Sequence, residues 1–124
     1  MSRLTALFGK PTSAVGRGNG CTVRFATARI TVTLANFGGG GTACDVGRAQ
    51  SATVNGRAWR TQRGLRVGDS VSRMKALYRQ ARVRNGRWAL QTAPLFGLTV
   101  ATLEANVVSG RVSRLRAYLG GAGK

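Results

Sequence analysis

Histidine is missing from this 124-residue sequence, and acid is nearly so. Asp45, Asp69 and Glu104 are the only carboxylate side chains, against 20 basic residues. Each shortage excludes a class of chemistry. Paired-carboxylate catalysis needs two acids on one wall of a cleft, and these three are widely scattered. Serine and cysteine nucleophiles are usually activated by an imidazole, which is absent here. Two cysteines without histidine cannot complete a four-ligand metal site within one chain. No catalytic, metal-ligating or cofactor-binding residue is therefore predicted, and the chain is not expected to be an enzyme.

Long hydrophobic runs are lacking as well. The longest uncharged stretch, residues 88–103, carries Gln91, Pro94 and three threonines, which argues against a membrane-spanning helix. The opening MSRLTALFGK has neither the apolar segment nor the small-residue cleavage site of a signal peptide.

What the sequence has in excess is positive charge, a formal +17, and 17 of its 20 basic residues are arginine. Such a chain attracts polyanions and acidic surfaces and repels its own copies. Arginine, glycine and alanine also share GC-rich codons, so part of the excess follows from composition alone. The charge is dispersed: no block of five or six consecutive basic residues forms a tail. Glycine run 38–41 lacks a following Lys-Ser/Thr and a helix, so it reads as a linker and not as a phosphate loop.

The two cysteines, Cys21 and Cys44, are expected to form a disulfide. Cys21 opens an apparent strand, and the flexible glycines before Cys44 let that segment fold back. A bond of this span stabilises by roughly 3 kcal/mol and implies an oxidising compartment. The expectation is therefore an extracellular or periplasmic protein whose signal peptide lies outside this chain; a cytoplasmic protein with two buried thiols is the alternative.

An internal similarity supports that picture. Ser2, Arg3, Ala6 and Leu7 recur as Ser72, Arg73, Ala76 and Leu77, with Leu4 matched by Met74 and Phe8 by Tyr78. In the second copy Asp69 and Ser70 can cap a helix, and Val71, Met74, Leu77 and Tyr78 follow at helical spacing, predicting a helix over 70–80. Strands are predicted at 87–92, 98–108 and 111–119. In the first copy the matching helix falls at 1–8 and the matching strands at 21–27, 29–37 and 47–54. Asn55-Gly56 adds a hairpin or turn signal before the linker 60–65. Met1 takes the place of Val71, so the first copy is expected to begin late, its glycine turn and cap cut away.

The predicted fold is α+β: one domain of two tandem helix-plus-three-strand repeats, 1–60 and 61–124. They would form one antiparallel sheet with two short helices packed on one face.

The turn GLRVGDS at 64–70 (Gly64, Gly68, Asp69, Ser70), the helix VSRMKALY at 71–78 and the three-stranded meander resemble the β-lactamase-inhibitor-protein-like group. They are also similar to the small outer-membrane lipoproteins that share a glycine, glycine, small-polar turn before an amphipathic helix. The resemblance implies an exported protein that binds another protein through its sheet face or loops.

Period-two alternation places Arg114, Arg116 and Tyr118 on that face, with Arg24 contributing from the first copy. Trp59 is a further interface candidate, whereas Trp88, in phase with Leu90, is expected in the core. The leading expectation is a non-enzymatic binding module with a protein partner and no small-molecule cofactor. The alternative is a nucleic-acid-binding protein acting through dispersed arginines, among them Arg73, Arg79, Arg82, Arg84, Arg87, Arg111, Arg114 and Arg116.

Overall fold

The computed structural model describes Thr5 and residues 9–36 and 41–118, and only the backbone of Val46 and Leu95. The chain divides into two compact units, Met1–Thr53 with Leu119–Lys124, and Val54–Tyr118. The helix expected at 1–8 lies outside the described residues except for Thr5, whose carbonyl accepts a bond from the Gly9 N–H at 2.9 Å.

In the first unit β1 (Ser13–Arg17), β2 (Gly20–Phe25), β3 (Ile30–Ala35) and β4 (Arg48–Val54) follow one another in sheet order. A two-residue turn, with Gly18 at φ +58°, returns β1 onto β2. A left-handed first turn position is one that glycine adopts without steric cost. Cys21, Val23 and Phe25 are buried while Thr22 and Arg24 are exposed, and Ile30, Val32 and Leu34 are buried opposite them in register. These cross-strand pairs form the apolar face of the unit. A single helical turn, α1 (Ala43–Val46), precedes β4. Thr42 caps it: its hydroxyl oxygen accepts from the Asp45 N–H and its hydroxyl donates to the Asp45 carboxylate at 3.0 Å.

In the second unit α2 (Val71–Leu77) precedes β5 (Arg82–Arg84), β6 (Arg87–Leu95), β7 (Leu98–Val108) and β8 (Arg111–Tyr118). The three hairpin turns all carry two consecutive positive φ angles: Asn85-Gly86, Phe96-Gly97 and Ser109-Gly110. That is the mirror-image turn whose twist matches paired strands. Trp88, Ala105 and Leu115 share one row across β6, β7 and β8, and Ala89, Glu104 and Arg116 share the next. The first row faces the core, where Leu90, Ala105, Val112 and Leu115 pack with Met74 and Tyr78 from α2 and its end and with Leu65. Each fully buried side chain of this size contributes roughly 1.5–3 kcal/mol.

The fold is therefore sheet-dominated, which corrects the α+β expectation of two helix-plus-three-strand repeats. The described helices span only 4 and 7 residues and make no second layer of their own. Among the described residues each unit has four strands, not three. The additional strands, SAVGR in β1 and RVR in β5, are exposed along their whole length and carry no alternation. They form because a tight turn folds each of them back onto a patterned neighbour. The four-residue α1 stands where no helix was expected, and Asn55-Gly56 makes a turn without a following strand.

Candidate interaction site

The outward row of the second unit is built around Glu104. Its Oε1 accepts the Tyr118 hydroxyl at 3.1 Å and lies 3.5 Å from Arg87 Nη1. Arg116, directly opposite Glu104 in register, turns its guanidinium over the Tyr118 ring, 4.8 Å from the centroid. Its Nε is buried without a hydrogen-bond partner among the described residues. An Arg–Tyr stack of this kind is worth about 0.5–1 kcal/mol at an accessible site, and the Arg87–Glu104 pair joins a half-exposed guanidinium to a largely buried carboxylate at a separation longer than a good hydrogen bond. Arg114, exposed, pairs in register with Asn106. Arg116 and Tyr118 are thus held together by contact, and Arg114 shares their face by alternation.

The other sequence candidates are placed apart from that cluster. Arg24 is exposed on β2 of the first unit, flanked in register by Ser13 and Thr31. Trp59 is half-buried in the turn after β4, and its N–H bonds the Gly56 carbonyl at 3.3 Å. Gly64 and Gly68 adopt φ +93° and +98°. Ser70 is the N-cap of α2, accepting from the Arg73 N–H at 3.1 Å. Asp69 instead accepts the Arg66 N–H at 2.8 Å and pairs with Arg73 Nε at 3.2 Å. The turn is also zipped to the start of β8, where Val112 N–H donates to the Asp69 carbonyl and Gly68 N–H to Val112.

Cys21 and Cys44 are bonded, joining β2 to α1 with Cα atoms 5.1 Å apart. That bears out the disulfide expectation and fits an extracellular or periplasmic location.

One feature was missed in the sequence. Among the described residues, β5 covers β6 at Arg87–Ala89 and β8 covers β7 over Leu103–Val108. Among the described residues, 91–102 of the second unit pair with each other as a two-stranded ribbon. At its tip Phe96 is 95% exposed and Leu98 69% exposed. Phe96 also sits at φ +51°, a left-handed conformation that costs a bulky L-residue about 1–2 kcal/mol. The only hint in the sequence was the uncharged run 88–103, which holds both the buried Leu90 and the exposed Phe96.

Ser72 and Lys75 do carry a Ser-x-x-Lys spacing on α2, but both are exposed and the Lys75 ammonium lies over the Trp88 ring at 5.2 Å. Among the described residues there is no group of three or more potential metal-ligating side chains, and no helix is long and apolar enough to cross a membrane. Compared with known protein families, curated proteins and solved structures, the chain matches none of them.

Proposed function

We propose that the chain is an exported, non-enzymatic binding module that engages another protein through the β6–β7 ribbon and the adjoining Arg114–Arg116–Tyr118 face. The observation that carries this reading is Phe96. A phenylalanine left almost wholly in water, in a backbone conformation that disfavours it, stabilises nothing within its own unit. As an anchor it is well suited, because a buried aromatic side chain is among the commonest sources of binding energy at an interface. Between its strands the ribbon pairs its own backbone groups, while the N–H and C=O groups on its outer edges are open to water or to a partner's backbone. The arginines on the adjoining face select a pocket rimmed by acidic groups. The disulfide supports export.

Nucleic-acid binding through dispersed arginines is less well supported. Single-strand binders offer aromatic rings to the bases. Here Tyr78 is buried, Trp88 and Tyr118 are each covered by a cation, and the exposed ring, Phe96, lies within the run 88–103 that carries no basic residue to hold a phosphate.

A photo-reactive phenylalanine analogue at position 96 tests the protein-binding reading. The expected result is one discrete, saturable adduct with material from the native source. Excess unlabelled wild-type chain should compete it away, and excess Phe96→Ala chain should not. Adducts that form equally from a probe at Val108, another exposed apolar site, would sink the proposal.

A further inference from the structure

The second unit contains a groove that borders the flank of the β6–β7 ribbon but does not include its Phe96 tip. Its volume is about 870 Å³, and it runs from the C-terminal end of α2 across β5 and along the ribbon as far as Thr99. Arg63, Arg79, Arg82 and Arg84 line it, and no carboxylate does. The described ion pairs engage Arg73 and Arg87 and leave the groove arginines unneutralised. Arg63 is held rigidly: its Nη1 donates to the Leu77 carbonyl at 3.0 Å and its guanidinium stacks on Tyr78. Arg82 and Arg84 lie two residues apart on one short strand, so they project to the same side about 6.7 Å apart. Two cations at that spacing match successive anionic groups along a chain better than they match a single small ion.

We propose that this groove binds an anionic polysaccharide bearing sulfate or phosphate esters. The arginines would take the ester oxyanions, for which the planar guanidinium fork offers paired donors. The rest of the lining supplies uncharged donors and acceptors suited to sugar hydroxyls: Gln80, Gln91, Thr92, Thr99 and Thr102. The groove has no platform for a nucleobase. Tyr78, the one aromatic residue of its lining, is 1% exposed. The disulfide-compatible compartments are also where such glycans are met.

The test measures binding of heparin oligosaccharide, phosphomannan, neutral dextran and a thymidine dodecamer to the intact chain at low salt. Tighter binding of either anionic glycan than of the thymidine oligomer is expected, with no binding of dextran; the preferred glycan tells sulfate from phosphate ester. The doubly substituted Arg82→Ala, Arg84→Ala chain should lose affinity by about tenfold and lower the slope of log K against log salt by about two. Removing the same charge from the first unit (Arg17→Ala, Arg48→Ala) should change affinity less than about twofold. Arg17, Arg48, Arg82 and Arg84 are all exposed, so none of these substitutions opens a core. Equal losses from the two double variants would reduce the effect to net charge and overturn the site. So would tighter binding of the thymidine oligomer, or no glycan binding at all. None of these outcomes touches Phe96, so this site and the ribbon tip stand or fall separately.

Discussion

The Tyr78 hydroxyl donates to the Thr61 hydroxyl oxygen at 2.7 Å across 17 residues of chain. The same oxygen accepts the Leu65 N–H at 3.1 Å, so one threonine ties the end of α2 to the loop that carries Leu65 into the core. Tyr78→Phe removes only the hydroxyl and is expected to cost about 1 kcal/mol. Tyr78→Ala also leaves a cavity among Met74, Leu65 and Leu90 and should cost about 3–5 kcal/mol. Urea denaturation of the two variants checks both values. Equal losses would mean that the ring contributes nothing beyond its hydroxyl.

Gly47 is required by contact and not by backbone angle. Its φ is −68°, yet a Cβ there would stand 2.4 Å from the Ala43 carbonyl oxygen, which already accepts the Gly47 N–H. Gly47→Ala must therefore distort the turn that holds Cys44, and a loss of about 1–3 kcal/mol is expected. Gly18→Ala meets no atom within 4 Å but must adopt φ +58°, so it should lose about 1–2 kcal/mol. Under reducing conditions the Gly47→Ala penalty should shrink, because α1 is then free to shift, whereas that of Gly18→Ala should persist.

The Cys21–Cys44 bond closes a loop of 23 residues, and removing it should destabilise the chain by about 3 kcal/mol. Cys44→Ala avoids placing a hydroxyl next to Cys21, which is only 2% exposed. Its denaturation midpoint should match that of the reduced wild type. A midpoint unchanged from the oxidised protein would show that the staple adds no stability.

How much of this was legible in the sequence depended on the element. β2 and β3 alternate cleanly, Cys21, Val23 and Phe25 against Ile30, Val32 and Leu34, and their buried face follows from period two. β7 was legible to both ends because a glycine turn stands on either side of it. β1 and β5 were not, since strands exposed on every residue owe their existence to a neighbour rather than to their own pattern. The balance between helix and sheet was misjudged for that reason. Alternation set Arg114, Arg116 and Tyr118 on one face, but it could not say that Arg116 would turn from Glu104 to the Tyr118 ring. Phe96 was hidden differently. In an uncharged run, side-chain type does not separate a core position from a turn tip, and only the pairing register reveals which one it is.

Phe96 yields the prediction that separates stability from function. Its turn demands left-handed backbone at two consecutive positions, and Asn-Gly meets that demand far better than Phe-Gly. Phe96→Asn should therefore stabilise the chain, by about 0.5–1 kcal/mol, since the exposed ring takes no part in the buried cluster of its unit. The same substitution removes the proposed anchor and should abolish competition for the position-96 adduct. A side chain kept only for packing would show the opposite pairing, with stability lost and binding intact. Thermal denaturation and the competition assay on one variant decide between them: a more stable chain that no longer competes is what an interaction tip requires.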